Sequence, residues 1–345
     1  MADRIKVGLL THAGGAHVKA YLQGLAATDE CSQVVLADPD QHFQADAQQL
    51  GKKLGRTYLD YRELLSVERP EMVLVSMEAK LAPPVIDAAL DAGCHVFAEK
   101  PSCVRPDDFA PLVAKADRQH RYLMLALANR LNPEVVAARA LIESGQIGKL
   151  FGLEMHLIAD QTRLTRPGYV DKWVAHKDRA GGGHLIWLGI HWLDLAMQLA
   201  GANIDHVAGF TANVGGQPFD VEDSAAAALK FDNGMLGTIT SGYFLDSGYH
   251  SHIKIWGSQG WVHVESMVDE PLHWYTTKGD LAGKVQTWDG SKSPRGYTPF
   301  VTAAVRACAN MSEPPISSGH SLRALQTVFA IYEAAQSASE VSVAP

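Results

Sequence analysis

Ile5-Lys6-Val7-Gly8-Leu9-Leu10-Thr11-His12-Ala13-Gly14-Gly15-Ala16-His17 runs into a helical pattern with Val18, Leu22 and Leu25 on one face. An apolar run, a small glycine-bearing loop and an amphipathic helix together open a βαβ unit. The alternation repeats downstream. Val34-Val35-Leu36-Ala37 and Met72-Val73-Leu74-Val75 are continuous apolar runs, the mark of strands covered on both faces. A helix follows the second, with Val85, Ile86, Ala89 and Leu90 inward and Gly93 as its C-cap. His95-Val96-Phe97-Ala98, a helix over 107–121 and a strand over 123–127 continue the series. Right-handed crossovers between such strands predict a doubly wound parallel sheet.

The pattern changes after Asn132-Pro133. A helix over 134–144 ends at Gly145, and Phe151 to Ile158 reads as a strand. Further strand patterns cover 206–213, 225–231, 235–241, 251–256 and 261–265, joined by turns such as Asp232-Asn233-Gly234 and Gly257-Ser258-Gln259-Gly260. Consecutive strands with short turns predict a largely antiparallel sheet. A last helix spans about 321–337. The expectation is therefore α/β plus α+β: a nucleotide-type domain over 1–127 and a second domain over 128–345.

Composition narrows the function classes. The chain has 345 residues, is 47% hydrophobic, and carries 30 Lys and Arg against 38 Asp and Glu, a net charge of −8. An acidic balance disfavours nucleic acid, which needs a basic field. Four cysteines without metal spacing argue against a disulfide framework and for a reducing compartment. The longest apolar run, Leu123 to Ala128, is far short of a membrane span. Met1 to Arg4 leads straight into the first strand and leaves no room for a signal peptide. The cytoplasm is the expected compartment.

A doubly wound sheet binds ligands beyond the carboxyl ends of its strands. Three such ends carry chemistry. The loop Thr11-His12-Ala13-Gly14 is small and bears glycine, yet departs from Gly-x-Gly-x-x-Gly; it is either a phosphate cradle or a plain tight turn. Asp38 ends a strand and is either a surface aspartate in a turn with Pro39 or, as its pairing with the first loop favours, a carboxylate that accepts ribose hydroxyls and repels a 2′-phosphate, which favours NAD over NADP. Lys100, in Glu99-Lys100-Pro101, follows the strand ending at Ala98 and is either a donor to a substrate hydroxyl or, as its position taken alone favours, a solvated loop lysine. In the second domain, Gly181-Gly182-Gly183 opens a helical pattern in which His184, Trp187 and His191 share one face. A histidine there serves either as a general acid/base or as a satisfied core residue. No third ligand accompanies His184 and His191, so no metal is expected.

Taken together, these segments resemble the Gfo/Idh/MocA family of oxidoreductases over nearly the whole chain. Ala92-Gly93-Cys94-His95-Val96-Phe97-Ala98-Glu99-Lys100-Pro101 is similar to the family's AGkHVlcEKP segment. Asn129 to Pro133 is similar to its domain junction, and Gly181 to Asp194 to its GGG…D-x-G-x-H-x-x-D helix. Val221-Glu222-Asp223-Ser224-Ala225 and Ile255 to Gly260 match two further stretches. The resemblance implies a Rossmann domain, then a domain whose open sheet often makes the interface of a dimer or tetramer. It implies bound NAD and a sugar, cyclitol or related polyol as substrate. Lys100 takes the catalytic lysine position and His191 the acid/base position, with a cis peptide before Pro101. Thr11, His12, Ala13, Gly14, Asp38, Ser76, Glu99, Lys100 and Arg130 are the implied cofactor residues. Trp173, His184, Trp187 and His191 are the implied substrate residues.

The chain departs from the family in two places. Thr11 and Ala13 stand about where its first two loop glycines belong, and Trp187 replaces the aspartate of D-x-G-x-H. An indole ring there stacks on the apolar face of a sugar, leaving His184 to supply the polar contact. The leading expectation is reversible hydride transfer from a secondary hydroxyl to NAD. Two competing readings are NAD-assisted cleavage of a glycosidic bond and a non-catalytic sugar or nucleotide sensor. Substrate choice is expected to lie in loops such as 160–178.

Overall fold

The computed structural model describes residues 4–245, 248–290 and 293–344; Met1 to Asp3, ahead of the first strand, lie outside them. The chain divides into two units. The first comprises 1–131, 178–181 and 294–322, the second 132–177, 182–293 and 323–345.

In the first unit, β1 (Ile5–Thr11), β2 (Cys31–Ala37), β3 (Leu54–Tyr58), β4 (Met72–Ser76), β5 (His95–Ala98) and β6 (Leu123–Leu125) form a sheet in the order 3-2-1-4-5-6. Every pairing is parallel. Val7, Leu9, Val34, Leu36, Val73 and Leu74 are fully buried, as expected of strands with helices on both faces. The strand order reverses between β1 and β4, so the carboxyl ends of β1, β2, β4 and β5 border the crevice where this topology binds ligands. β3 is absent from the sequence reading because Leu54-Gly55-Arg56-Thr57-Tyr58 is a half-exposed edge strand without an apolar run.

Two later segments join this unit, which a single boundary after residue 127 does not capture. The helix Tyr297–Cys308 packs on the helix Val18–Ala27 at Gly24, where an added Cβ would stand 2.9 Å from Val301 Cβ. The hydroxyls of Thr28 and Thr302 lie 2.7 Å apart, and Arg306 donates to Glu30 at 3.0 Å. Ser318 and Ser321 accept the backbone N–H groups of Leu123 and Leu125 at 3.2 and 3.0 Å. Those serines cover the outer edge of β6, which would otherwise present unpaired donors.

The second unit is built on a sheet of β7 (Leu150–Asp160), β8 (Ile204–Ala212), β9 (Ser224–Phe231), β10 (Leu236–Leu245), β11 (Tyr249–Gly257), β12 (Gly260–Glu265), β13 (Leu272–Thr276), β14 (Val285–Thr287) and β15 (Val341–Ser342). Their order is 14-13-12-11-7-10-9-8-15. Pairing is antiparallel except between β7 and β10, which the long connection after Asp160 allows to run parallel. On β7, Leu153, Met155, Leu157 and Ala159 are buried and alternate with Glu154 and His156. One face thus lies under the helices Pro133–Glu143 and Ile190–Ala200 and the other is open. Among the described residues, no helix is long and apolar enough to cross a membrane.

Candidate functional site

The candidate cofactor site lies at the ends of β1, β2 and β4. The Thr11 hydroxyl donates to the Ser76 carbonyl at 2.9 Å, and the Ser76 hydroxyl donates to the Ala16 carbonyl at 2.6 Å. These two side chains lash the loop to the strand ends. Gly15 fits between them because it has no side chain: a Cβ there would lie 2.2 Å from Thr11 Oγ1 and 2.8 Å from the Ser76 carbonyl. Gly15 therefore lets the loop pack closely against the ends of β1 and β4. His12 faces two amides, Glu78 N–H at 3.0 Å from Nε2 and Gly14 N–H at 3.2 Å from Nδ1. A neutral imidazole has one acceptor nitrogen, so it takes one of these at a time. Burial lowers the His12 pKa, against an opposing pull from Glu78. The Ala13 N–H donates to Asp40 Oδ2 at 2.8 Å.

Asp38 is buried at the end of β2. Its Oδ2 accepts the Phe43 N–H at 2.7 Å, while its Oδ1 is buried without a hydrogen-bond partner. Thr11, His12, Pro39, Tyr61, Leu81 and Pro84 help to line an adjoining cavity of about 470 Å³. A largely apolar cleft beside one unsatisfied carboxylate oxygen fits the adenosine half of a dinucleotide. Tyr61 and Arg62, on its wall with the guanidinium 4.6 Å from the tyrosine ring centre, were not anticipated from sequence.

Lys100 follows β5 and is 1% exposed. The Lys100–Pro101 peptide is cis, as the resemblance implied. Lys100 Nζ stands 3.9 Å from Glu99 Oε1. The other Glu99 oxygen accepts the Tyr21 hydroxyl and lies 3.1 Å from His17 Nδ1, which the Tyr297 hydroxyl approaches at 3.2 Å. Glu99 is thus a buried carboxylate held from several sides, and it fixes the charge environment of the lysine. Arg130 is buried in the short turn Ala128–Leu131 that ends the continuous part of this unit. A pair that sequence reading missed is Glu78 with Arg179: the guanidinium meets both carboxylate oxygens, at 2.9 and 2.5 Å.

In the second unit the glycine-rich stretch opens a π-helical turn, Leu185–Gly189, continuous with the helix Ile190–Ala200. Ile190 N–H donates to the Leu185 carbonyl, five residues back. The added residue rotates the succeeding helix by about 100° about its axis, so His184 and His191 do not share the face that an unbroken α-helix would give them. Sequence alone carries no signal for this turn. At its start the carboxylate of Glu222 accepts Gly183 N–H at 2.7 Å and Leu185 N–H at 2.9 Å. Tyr332 donates to Glu222 at 2.8 Å and accepts Ile186 N–H at 3.1 Å. Gly183 permits the approach, since a Cβ would meet the Glu222 carbonyl at 1.9 Å. Burial pushes both Glu222 and Tyr332 up.

His184 is fully buried, with Nδ1 2.6 Å from Ser241 Oγ and its ring edge-on to Tyr243 at 4.4 Å. Burial, and then Arg163, hold its pKa down at about 3, so it remains neutral near pH 7 and cannot act there as an acid. Trp187 is half-buried and meets the buried Trp173 edge-to-face at 5.4 Å. His184, Trp187, Tyr169, Phe219 and Tyr243 line one small cavity. His191 and Asp194 are buried on the following helix. In the 160–178 loop, Arg163 is tied to Tyr249 by a hydrogen bond and lies 5.1 Å from its ring centre. Among the described residues, no group of three or more His, Cys, Asp or Glu side chains is arranged to hold a metal.

Comparison with known proteins places both units. Residues 7–127 match the family model of an NAD-binding Rossmann fold oxidoreductase, and residues 135–263 match the Gfo/Idh/MocA C-terminal domain. The chain is 24% identical over 277 residues to myo-inositol 2-dehydrogenase of Thermotoga maritima, covering 79% of each. It is 24% identical over 326 residues to D-glucoside 3-dehydrogenase of Escherichia coli, covering 87% of each. Three further oxidoreductases of uncharacterised activity are matched over about half of their length. A levoglucosan dehydrogenase solved with NADH and L-sorbose has the same fold, with a TM-score of 0.86 at 20% identity over 99% of each chain. The chain belongs to the Gfo/Idh/MocA family of oxidoreductases.

Proposed function

We propose that this protein is an NAD-dependent dehydrogenase that oxidises a secondary hydroxyl of a sugar, cyclitol or related polyol to a ketone. The observation that carries the reading is Lys100, a lysine buried at the end of a central parallel strand beside the buried carboxylate of Glu99. Solvated surface lysines are not held in this way, and burial of a cation is costly unless its charge is used. The activities of the inositol and glucoside relatives support the substrate class.

Asp38 and the loop Thr11 to Gly14 would hold NAD, with Ser76 shaping the loop and Glu99 and Arg130 completing the surroundings. NAD, when bound, supplies the acceptor for the hydride that leaves the carbinol carbon. His191 accepts the hydroxyl proton. Lys100 donates a hydrogen bond to a substrate oxygen on which negative charge develops. Trp187 and Trp173 offer an aromatic surface to the apolar face of a ring, and His184 holds a fixed neutral orientation against Ser241. We place the enzyme in the cytoplasm, where its four buried free cysteines would stay reduced. A second copy of the chain would cover the open sheet face, on which Phe210 and Leu236 are exposed.

The experiment is a polyol screen with NAD, read as NADH absorbance, with Lys100→Ala as control. Net NADH that disappears in the control supports the reading. Product without net NADH supports glycoside cleavage instead. Polyol binding without turnover supports a sensor.

A further inference from the structure

We propose that Asp40 acts as an internal anion on the dinucleotide loop and sets the affinity of this chain for NAD, an inference that rests on reading that loop as the cofactor site. Three consecutive loop amides already face acceptors from the chain itself. Ala13 N–H donates to Asp40 Oδ2 at 2.8 Å. Gly14 N–H lies 3.2 Å from His12 Nδ1. Gly15 N–H donates to the His12 carbonyl at 2.8 Å. A loop ahead of a helix binds phosphate by offering such N–H groups, and a carboxylate oxygen on Ala13 presents to it the chemistry of a phosphate oxygen.

The consequence is competition. A pyrophosphate entering the loop displaces Asp40 from the Ala13 amide or settles beside it, and in either case meets a like charge. Asp40 belongs to the same tight turn as Asp38, in which Gln41 N–H donates to the Asp38 carbonyl at 3.1 Å. One Asp-Pro-Asp turn therefore carries two carboxylates of opposite effect. Asp38 offers a buried oxygen to ribose hydroxyls, whereas Asp40 opposes the phosphates. Asp40 is exposed, so replacing it leaves the core intact.

The test is calorimetric titration of the full chain, stripped of nucleotide, with NAD, ADP-ribose and adenosine. Wild type is compared with Asp40→Asn, which keeps an acceptor oxygen but no charge, and with Asp40→Ala, which keeps neither. The expected result is that NAD and ADP-ribose bind about three- to tenfold more tightly to both variants, while adenosine, which has no phosphate, binds unchanged. NAD binding that is equal in wild type and both variants overturns the proposal and leaves the dehydrogenase reading standing. Weaker binding of all three ligands together also overturns it, because it marks Asp40 as a support of the loop. NAD binding by both variants and not by wild type is the expected effect at its largest. Binding by none of the three proteins overturns the cofactor reading and this proposal with it.

Discussion

The Glu222 carboxylate accepts the Gly183 amide through one oxygen and the Leu185 amide through the other. With Tyr332 on Ile186, two side chains distant in sequence satisfy three amides at the start of the helical stretch that leads to His191. Helix starts leave several N–H groups unpaired, and burying them without acceptors is costly. Glu222→Ala is therefore expected to lower unfolding free energy by about 2–4 kcal/mol, and Tyr332→Phe by about 1–2 kcal/mol. Urea unfolding followed by circular dichroism measures both. A loss below about 0.5 kcal/mol in Glu222→Ala would show that water replaces the carboxylate as a cap.

Acid should weaken the fold through His184. Its pKa falls from an ordinary 6.5 to about 3 in the folded chain. Below pH 6.5 the unfolded chain takes up a proton at this residue that the folded chain refuses. Stability present above that pH is thus lost as pH falls toward 3, at no more than about 1.4 kcal/mol per pH unit for this group. His12, His95, His252 and His263 are also lowered, chiefly by burial, so each adds in the same direction. The informative quantity is the difference between wild type and His184→Gln in urea unfolding at several pH values between about 7 and 5. Parallel slopes for the two proteins would remove His184 from this account.

The sequence made the buried parallel strands legible because Val34 to Ala37 and Met72 to Val75 are apolar without interruption, a pattern that few other environments produce. It made Lys100 legible through the segment around it, and Asp38 through its place at a strand end. The edge strand β3 and the helix Tyr297–Cys308 stayed hidden, since partial burial and long-range packing at Gly24 leave no periodic trace. The π-helical turn was hidden for a different reason. The spacing of His184, Trp187 and His191 is compatible with an α-helix, and the amides at the start of the wider turn are held by Glu222, thirty-eight residues beyond His184, a long-range contact with no local pattern. Asp40 on Ala13 belongs to the same class, a contact between two loops with no mutual signal in either.

Asp38 is expected to decide between the two nicotinamide dinucleotides. Its buried Oδ1 has no hydrogen-bond partner and would accept a ribose hydroxyl and repel a 2′-phosphate. Asp38→Asn retains an oxygen for the Phe43 amide and removes the charge. NAD affinity should fall about tenfold, the worth of one charge-assisted hydrogen bond, and discrimination against NADP should shrink in parallel. Titration with both dinucleotides checks this. Unchanged preference in Asp38→Asn would move the determinant elsewhere on the cavity wall, with Arg62 the first residue to replace.

Lys100 and His191 should separate binding from chemistry. Neither residue is assigned to the adenosine cavity, so Lys100→Met and His191→Asn are expected to bind NAD within about threefold of wild type. Turnover is a different matter. Loss of a positioned acid/base or of a donor to the developing alkoxide costs about 10²- to 10⁴-fold in kcat. The two variants should also differ in pH response. If His191 takes the proton, the acid limb of the kcat profile belongs to it and disappears in His191→Asn, whereas Lys100→Met lowers the whole profile without removing that limb. Steady-state rates on a polyol found by the screen, measured between about pH 5 and pH 9, provide the check. An acid limb that persists in His191→Asn would assign the proton to another group and leave His191 as a buried structural histidine.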